Sequence, residues 1–241
     1  MYFVANWKMY GNLSSLNTLD KVIKFSKSKE IKKGRLIFCP PYTLISSFSK
    51  KFKNCQIGIG GQNCHESDGY GPHTGFVNSR MLKNIGAQFV IIGHSENREK
   101  GESDKLINMK IKSALDAKLK VIFCIGETLS EKRKKLTYSI LSKQIKNGLK
   151  NIKNKSNIFL AYEPVWAIGS GLTPKTQDLF KTVEFIKSKF NEKSTKVFYG
   201  GSVNPENITN LREINNIDGF LIGGASQNSK KFIDIVKKTY S

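Results

Sequence analysis

Several apolar runs in this sequence end in groups whose types suit proton transfer beside a carbonyl. The run Ile158-Phe159-Leu160-Ala161-Tyr162 delivers Glu163 onto Pro164-Val165-Trp166, followed by Ala167-Ile168-Gly169-Ser170-Gly171. A carboxylate held between an apolar strand and an apolar loop is poorly solvated once the loop closes, which makes it a stronger base of the kind a carbon acid requires. A stiff proline at one end and glycines further along read as a lid that swings as a body. The plainer reading is a surface glutamate followed by a turn. The run Phe89-Val90-Ile91-Ile92-Gly93 ends at His94-Ser95-Glu96. A lone histidine is more often structural than catalytic, but this one sits at a helix start, whose positive end disfavours the cation. A neutral imidazole there can donate a hydrogen bond to a substrate oxygen. The first run ends Asn6-Trp7-Lys8, an amide donor for a carbonyl and a cation for an anionic group, or else a polar cap beside a solvated lysine. Tyr199-Gly200-Gly201-Ser202 and Ile222-Gly223-Gly224-Ala225-Ser226 carry glycine pairs that let backbone N–H groups approach an anion. Either pair alone would be a tight turn; two together make a phosphate cup.

The elements that must position these groups are legible in the same pattern. Eight short β-rich runs recur near Tyr2-Ala5, Leu36-Cys39, Ile57-Gly60, Phe89-Ile92, Val121-Ile125, Ile158-Tyr162, Val197-Tyr199 and Phe220-Ile222. Between them lie helical spacings, among them Ile107/Ile111/Leu115, Leu136/Ile140/Ile145/Leu149 and Leu179/Val183/Ile186/Phe190. Alternating strands and helices imply parallel pairing through right-handed crossovers. Eight such units in 241 residues favour a closed parallel eight-stranded (βα)8 barrel over an open doubly wound sheet. Neither G-x-G-x-x-G nor G-x-x-x-x-G-K-[ST] is present to support the latter. Pro40-Pro41 closes the second strand, and helices are expected to open at Pro174 and at Asn204-Pro205. No linker divides the chain, so residues 1–241 read as a single catalytic domain. In such barrels the catalytic residues stand where strands end.

Composition bounds the partners. The net charge of +21 raises the idea of nucleic acid, yet only five of the 40 basic residues are arginine, the usual reader of phosphates and guanine edges. A solvated lysine-rich surface that draws in anionic substrates is the better reading, with no nucleic-acid partner. No apolar run reaches membrane-spanning length and none reads as a leader, so a cytoplasmic protein with no membrane partner is expected. The four cysteines form no C-x-x-C pair, which suggests reduced thiols rather than zinc or a disulfide framework.

Taken together, Asn6-x-Lys8, His94-Ser95-Glu96, Ala161 to Gly169, Tyr199 to Ser202 and Gly223 to Ser226 closely resemble the triosephosphate isomerase family, in order and over the full length; Cys124-Ile125-Gly126-Glu127-Thr128 matches a further segment. The resemblance implies a TIM barrel that interconverts dihydroxyacetone phosphate and glyceraldehyde 3-phosphate through an enediolate, in glycolysis and gluconeogenesis, without metal or organic cofactor. It also implies the roles. Glu163 would abstract the carbon-bound proton, His94 would polarise the carbonyl and shuttle protons between oxygens, and Lys8 and Asn6 would stabilise the oxyanion. Gly169, Ser202, Gly223 and Gly224 would grip the phosphate. The lid from Pro164 through Val165, Trp166, Ala167, Ile168 and Ser170 to Gly171 would exclude water, latched by Tyr199 and Ser202, while Glu96 would support the base and Lys8. A homodimer is implied through the loop Gln62–Gly75. Three departures from the family pattern stand out. Gly169-Ser170-Gly171-Leu172 replaces the common Gly-Thr-Gly-Lys, Asn97 replaces an arginine, and Phe76 replaces an acidic residue. The last two together remove an intersubunit ion pair, so a dimer here would rest on apolar packing. The rivals are another sugar-phosphate isomerase or aldolase on the same barrel, and a nucleic-acid-binding protein using the charge.

Overall fold

The computed structural model describes residues 1–31, 34–190 and 195–241. Eight strands, β1 (Tyr2–Asn6), β2 (Arg35–Cys39), β3 (Ile57–Gly61), β4 (Phe89–Ile92), β5 (Lys120–Ile125), β6 (Ile158–Tyr162), β7 (Val197–Tyr199) and β8 (Gly219–Ile222), pair in parallel in sequence order, and β8 returns to β1 to close the barrel. The closing register sets Tyr2 against Gly219 and Ala5 against Ile222. The expected eight-stranded parallel barrel is therefore the fold.

Alternation along each strand builds two cores, as a period of two requires. One face points inward, where Val4, Ile37, Ile91, Ile122, Phe198 and Leu221 fill the barrel. The other face, including Phe3, Ala5, Phe38, Val90 and Phe123, packs against the helices in the larger cluster. At the N-terminal end of the barrel Tyr2, Phe159 and Phe198 meet with centroids 5.3 to 5.5 Å apart, and this aromatic floor blocks the barrel beneath the opposite, functional mouth.

The outer layer is α1 (Leu19–Ser26), α2 (Tyr42–Lys51), α3 (Ser79–Asn84), α4 (Ser95–Glu99), α5 (Asp104–Asp116), α6 (Leu129–Arg133), α7 (Thr137–Gly148), α8 (Thr176–Ser188), α9 (Ile208–Arg212) and α10 (Ser229–Tyr240). Three expectations need correction. Leu136 lies before α7 and is exposed; Leu141, next to the half-buried Ile140, carries the packing with Ile145 and Leu149. Pro174 precedes α8 by two residues, with Lys175 at the cap. Asn204-Pro205 opens a turn, not a helix: Asn204 Oδ1 accepts from the backbone N–H of Glu206 and Asn207, and α9 begins only at Ile208. The four cysteines are free thiols, three of them buried. Among the described residues no helix is long and apolar enough to cross a membrane.

Candidate active site

The C-terminal ends of the strands surround a cavity of about 370 Å³ lined by Asn6, Lys8, His94, Glu163, Gly169, Ser202, Gly223 and Gly224, among others. Residues spread along the chain meet there because each ends a stave of the barrel.

Glu163 follows β6 and is 2% exposed. Its Oε1 lies 3.1 Å from His94 Nε2, and its Oε2 accepts the Ser95 backbone N–H at 3.1 Å. Two glycines make room for it. A Cβ on Gly126 would stand 1.7 Å from the Glu163 carbonyl oxygen, and one on Gly200 would stand 2.8 Å from Glu163 Cγ; both are far inside van der Waals contact. The backbone of Glu163 is also tied to β5 by its N–H donating to Ile125 O at 2.8 Å, and Gln144 clamps Gly126 through both its amide atoms.

His94 caps α4, and its Nδ1 accepts the Glu96 N–H at 3.3 Å. The Glu96 carboxylate, at 3.7 Å from the same nitrogen, is too far for a hydrogen bond, so the backbone donor fixes the tautomer. With Nδ1 a lone-pair acceptor, the proton of a neutral ring sits on Nε2, the nitrogen that faces the cavity and Glu163. Glu96 itself binds Lys8 Nζ at 2.6 Å. Burial alone would raise its carboxyl, but the hydrogen bond from Lys8 and the neighbouring positive charge hold it below the ordinary carboxylate value.

Lys8 takes a left-handed backbone with φ of 54°, an uncommon conformation for a residue with a side chain. Asn6 Oδ1 accepts its N–H at 3.1 Å and Gln62 Nε2 donates to its carbonyl at 2.8 Å, and these bonds hold the strained turn. With the Asn6 oxygen turned to Lys8, its amide NH2 is the group left for the cavity.

The lid is anchored at one end and free at the other. Trp166 Nε1 donates to Glu127 Oε1 at 2.9 Å, and Tyr162 Oη donates to the same carboxylate at 3.2 Å. Lys132 Nζ stands 3.2 Å from the centroid of the Trp166 ring, a cation over an aromatic face. Ala167 is buried, its carbonyl accepting from Ser202 N at 3.0 Å. Pro164 is buried, while Val165 and Ile168 are half-buried. From Gly169 to Leu172 the chain is exposed, with Gly169 and Gly171 at positive φ; Ser170 Oγ donates to Trp166 O and accepts from Leu172 N, each at 3.2 Å. Of the expected lid and latch residues, only Ile168, Gly169 and Ser202 line the cavity among the described residues; Pro164, Val165, Trp166, Ala167, Ser170 and Gly171 stand outside its lining. Tyr199 lies fully buried beneath it, its hydroxyl without a hydrogen-bond partner among the described residues.

Glu127 has no role in the sequence-based expectations, although it too ends a strand. It is 1% exposed, and burial pushes its carboxyl up against the opposing hydrogen bonds from Trp166 and Tyr162. Gly126, Gln144 and Gln62 are likewise structural supports that the expected site omits. The signal for Glu127 was available, since a polar group ending the apolar run Val121-Ile125 follows the rule that singled out Glu163.

The triosephosphate isomerase family model matches residues 1–239. The triosephosphate isomerase of Thermodesulfovibrio yellowstonii is 40% identical, the match covering 98% of each chain. That of Bradyrhizobium diazoefficiens is 39% identical over 97% of this chain and 95% of its own. Among solved structures, the crystal structure of triosephosphate isomerase from Bartonella henselae superposes with a TM-score of 0.88 at 35% identity, covering 97% of this chain and 96% of that one.

Proposed function

We infer a mechanism from the premise that this chain belongs to the triosephosphate isomerase family and interconverts dihydroxyacetone phosphate and glyceraldehyde 3-phosphate, a step of glycolysis. The observation that carries the assignment of roles is the 3.1 Å approach of His94 Nε2 to Glu163 Oε1 at the mouth of a cavity whose far side is built from the two glycine pairs.

The substrate phosphate lies against the backbone N–H groups of Gly169, Gly223 and Gly224, where unhindered glycine backbone approaches an anion closely, and against that of Ser202 once lid closure releases it from the Ala167 carbonyl. Binding turns the Glu163 carboxylate from Ser95 N–H toward the carbon beside the carbonyl, from which it takes a proton. The electron pair of that C–H bond forms the enediolate, and negative charge moves to the carbonyl oxygen. His94 Nε2–H, Asn6 and Lys8 stabilise that charge. His94 then gives its proton to this oxygen and takes one from the neighbouring hydroxyl. Glu163 returns its proton to the adjacent carbon, and the aldehyde and ketone have exchanged places. No electrons leave the substrate, so side chains suffice and no metal or organic cofactor is called for. Glu96 keeps Lys8 in place before substrate arrives.

Closing the lid from Pro164 to Gly171 excludes water from the enediolate, and Tyr199 and Ser202 are the groups that hold it shut. Residues 1–241 act as one catalytic domain. The same chemistry runs in the reverse direction for gluconeogenesis, in the cytoplasm. A homodimer fits the exposed Met9, Tyr70 and Phe76, with the Gln62–Gly75 loop of a second copy seated in the cavity of about 290 Å³ beside Lys8, Met9, Tyr42 and Asn97.

Glu163→Asp tests the assignment of the base. Drawing the carboxylate back by one methylene lowers kcat by orders of magnitude in a coupled assay while the circular dichroism spectrum is retained. Wild-type turnover in that variant would remove Glu163 from the role.

A further inference from the structure

The end of the barrel opposite the active site holds a second cavity, of about 820 Å³, among the N-terminal residues of β1 to β5. Its size is within the range of small-molecule sites. Every charged residue that lines it is basic: Arg35, Lys83, Lys118 and Lys120. Among the described residues none of the four is paired with a carboxylate. Lys83 Nζ instead donates to the carbonyl of Lys118 at 3.2 Å, which draws two cations to one loop. Arg35 lies over the Tyr2 ring at 5.9 Å and Lys120 over Phe89 at 5.6 Å. Crowding extends to the amino terminus. Burial lowers the Met1 amine and the charges of Lys196 and Arg35 lower it further, against the opposing pull of Asp218.

Like charges gathered around one concavity repel each other, and a low-dielectric wall strengthens the field there. The C-termini of α3 and α5, which end at this face, offset part of the repulsion through their partial negative charge and leave a positive basin. A single phosphate carries about −2 at neutral pH, half of what four cations match. Two or more linked phosphates match it fully. The Tyr2 and Phe89 faces are already covered by cations, so the site offers a stacked base nothing.

We propose that this N-terminal mouth of the barrel binds an oligophosphate, a chain of two or more linked phosphates, through Arg35, Lys83, Lys118 and Lys120. The phosphate chain is what is recognised, whether free or carried by a nucleoside.

Calorimetric titration with inorganic tripolyphosphate and, separately, with ATP, in buffer without divalent cations, tests the site. Both probes bind, with affinities within about threefold of one another, since neither uses a base. Arg35→Gln/Lys120→Gln weakens both by roughly tenfold or more and leaves isomerase turnover unchanged. Lys143→Gln/Lys146→Gln, on the exposed side of α7, removes the same charge and leaves affinity within about twofold. Absence of binding, equal weakening in both double variants, or displacement of the probe by triose phosphate would each overturn the proposal. ATP binding much more tightly than tripolyphosphate would overturn the claim that the phosphate chain alone is read.

Discussion

Tyr199→Phe separates the resting protein from the closed one. The Tyr199 side chain is fully buried and its hydroxyl has no hydrogen-bond partner among the described residues; burial pushes its ionisation up, so it stays a neutral, enclosed group. Backbone bounds it on one side, where a Cβ on Gly201 would fall 2.2 Å from the oxygen. Enclosing an unpaired hydroxyl costs about 1–3 kcal/mol. Removing it leaves a hole the size of one oxygen, which costs about 0.5 kcal/mol or less at roughly 24 cal/mol per Å³. The free variant is therefore more stable than wild type by about 0.5–2.5 kcal/mol, a rise in Tm of roughly 1–10 °C for a chain of this size. Catalysis moves the other way. If the hydroxyl finds its partner only when the lid closes, deleting it removes about 1–3 kcal/mol from the closed complex and lowers kcat/KM by roughly 5- to 150-fold. Thermal melts of the free protein and a coupled steady-state assay on glyceraldehyde 3-phosphate read the two effects. A fall in Tm would mean the hydroxyl is already bonded at rest, and unchanged kcat/KM would mean it latches nothing.

Three further outcomes are expected. Gly126→Ala places a Cβ 1.7 Å from the Glu163 carbonyl oxygen, well beyond ordinary overpacking, and costs more than about 3 kcal/mol; urea midpoints and soluble yield measure it, with Gly69→Ala, whose Cβ would meet only Ser67 Oγ at 4.0 Å, staying within about 0.5 kcal/mol. Burial raises the Glu127 carboxyl, so the folded state holds its proton more tightly than the unfolded chain, and this group's contribution is full below the ordinary carboxylate value and declines as pH rises through the raised one. Glu127→Gln flattens that decline in Tm measured from about pH 4 to 8, and loosens the lid anchor enough to shift Trp166 fluorescence; an unchanged pH slope would count against the assignment. The homodimer proposed above would have no charge pair at Phe76 and Asn97, so sedimentation at low and high salt is expected to give the same association constant, and strong weakening by salt would contradict apolar packing.

Much of the barrel was legible along the chain because burial writes itself locally: alternate residues of β1 to β8 are apolar on both faces, and helices such as α5 and α8 repeat every three to four residues. Strand ends also announced themselves, since Glu163, His94, Asn6 and the glycine pairs interrupt apolar runs that a packed core would have continued. Periodicity failed at element ends, where Leu136 and Pro174 mimic helix positions but lie outside the hydrogen-bonded turns. What only the tertiary structure decided are the relations across staves. Gly126 must be glycine because the Glu163 carbonyl comes against it, Lys8 is held left-handed by Asn6 and Gln62, and His94 is fixed as a donor toward Glu163 by a backbone N–H. The four cations at the opposite mouth belong to the same class, being unremarkable among thirty-five lysines and five arginines in the sequence. Such contacts depend on barrel closure and register, which bring distant segments within a few ångströms, and no local pattern of residue types records a distance of that kind.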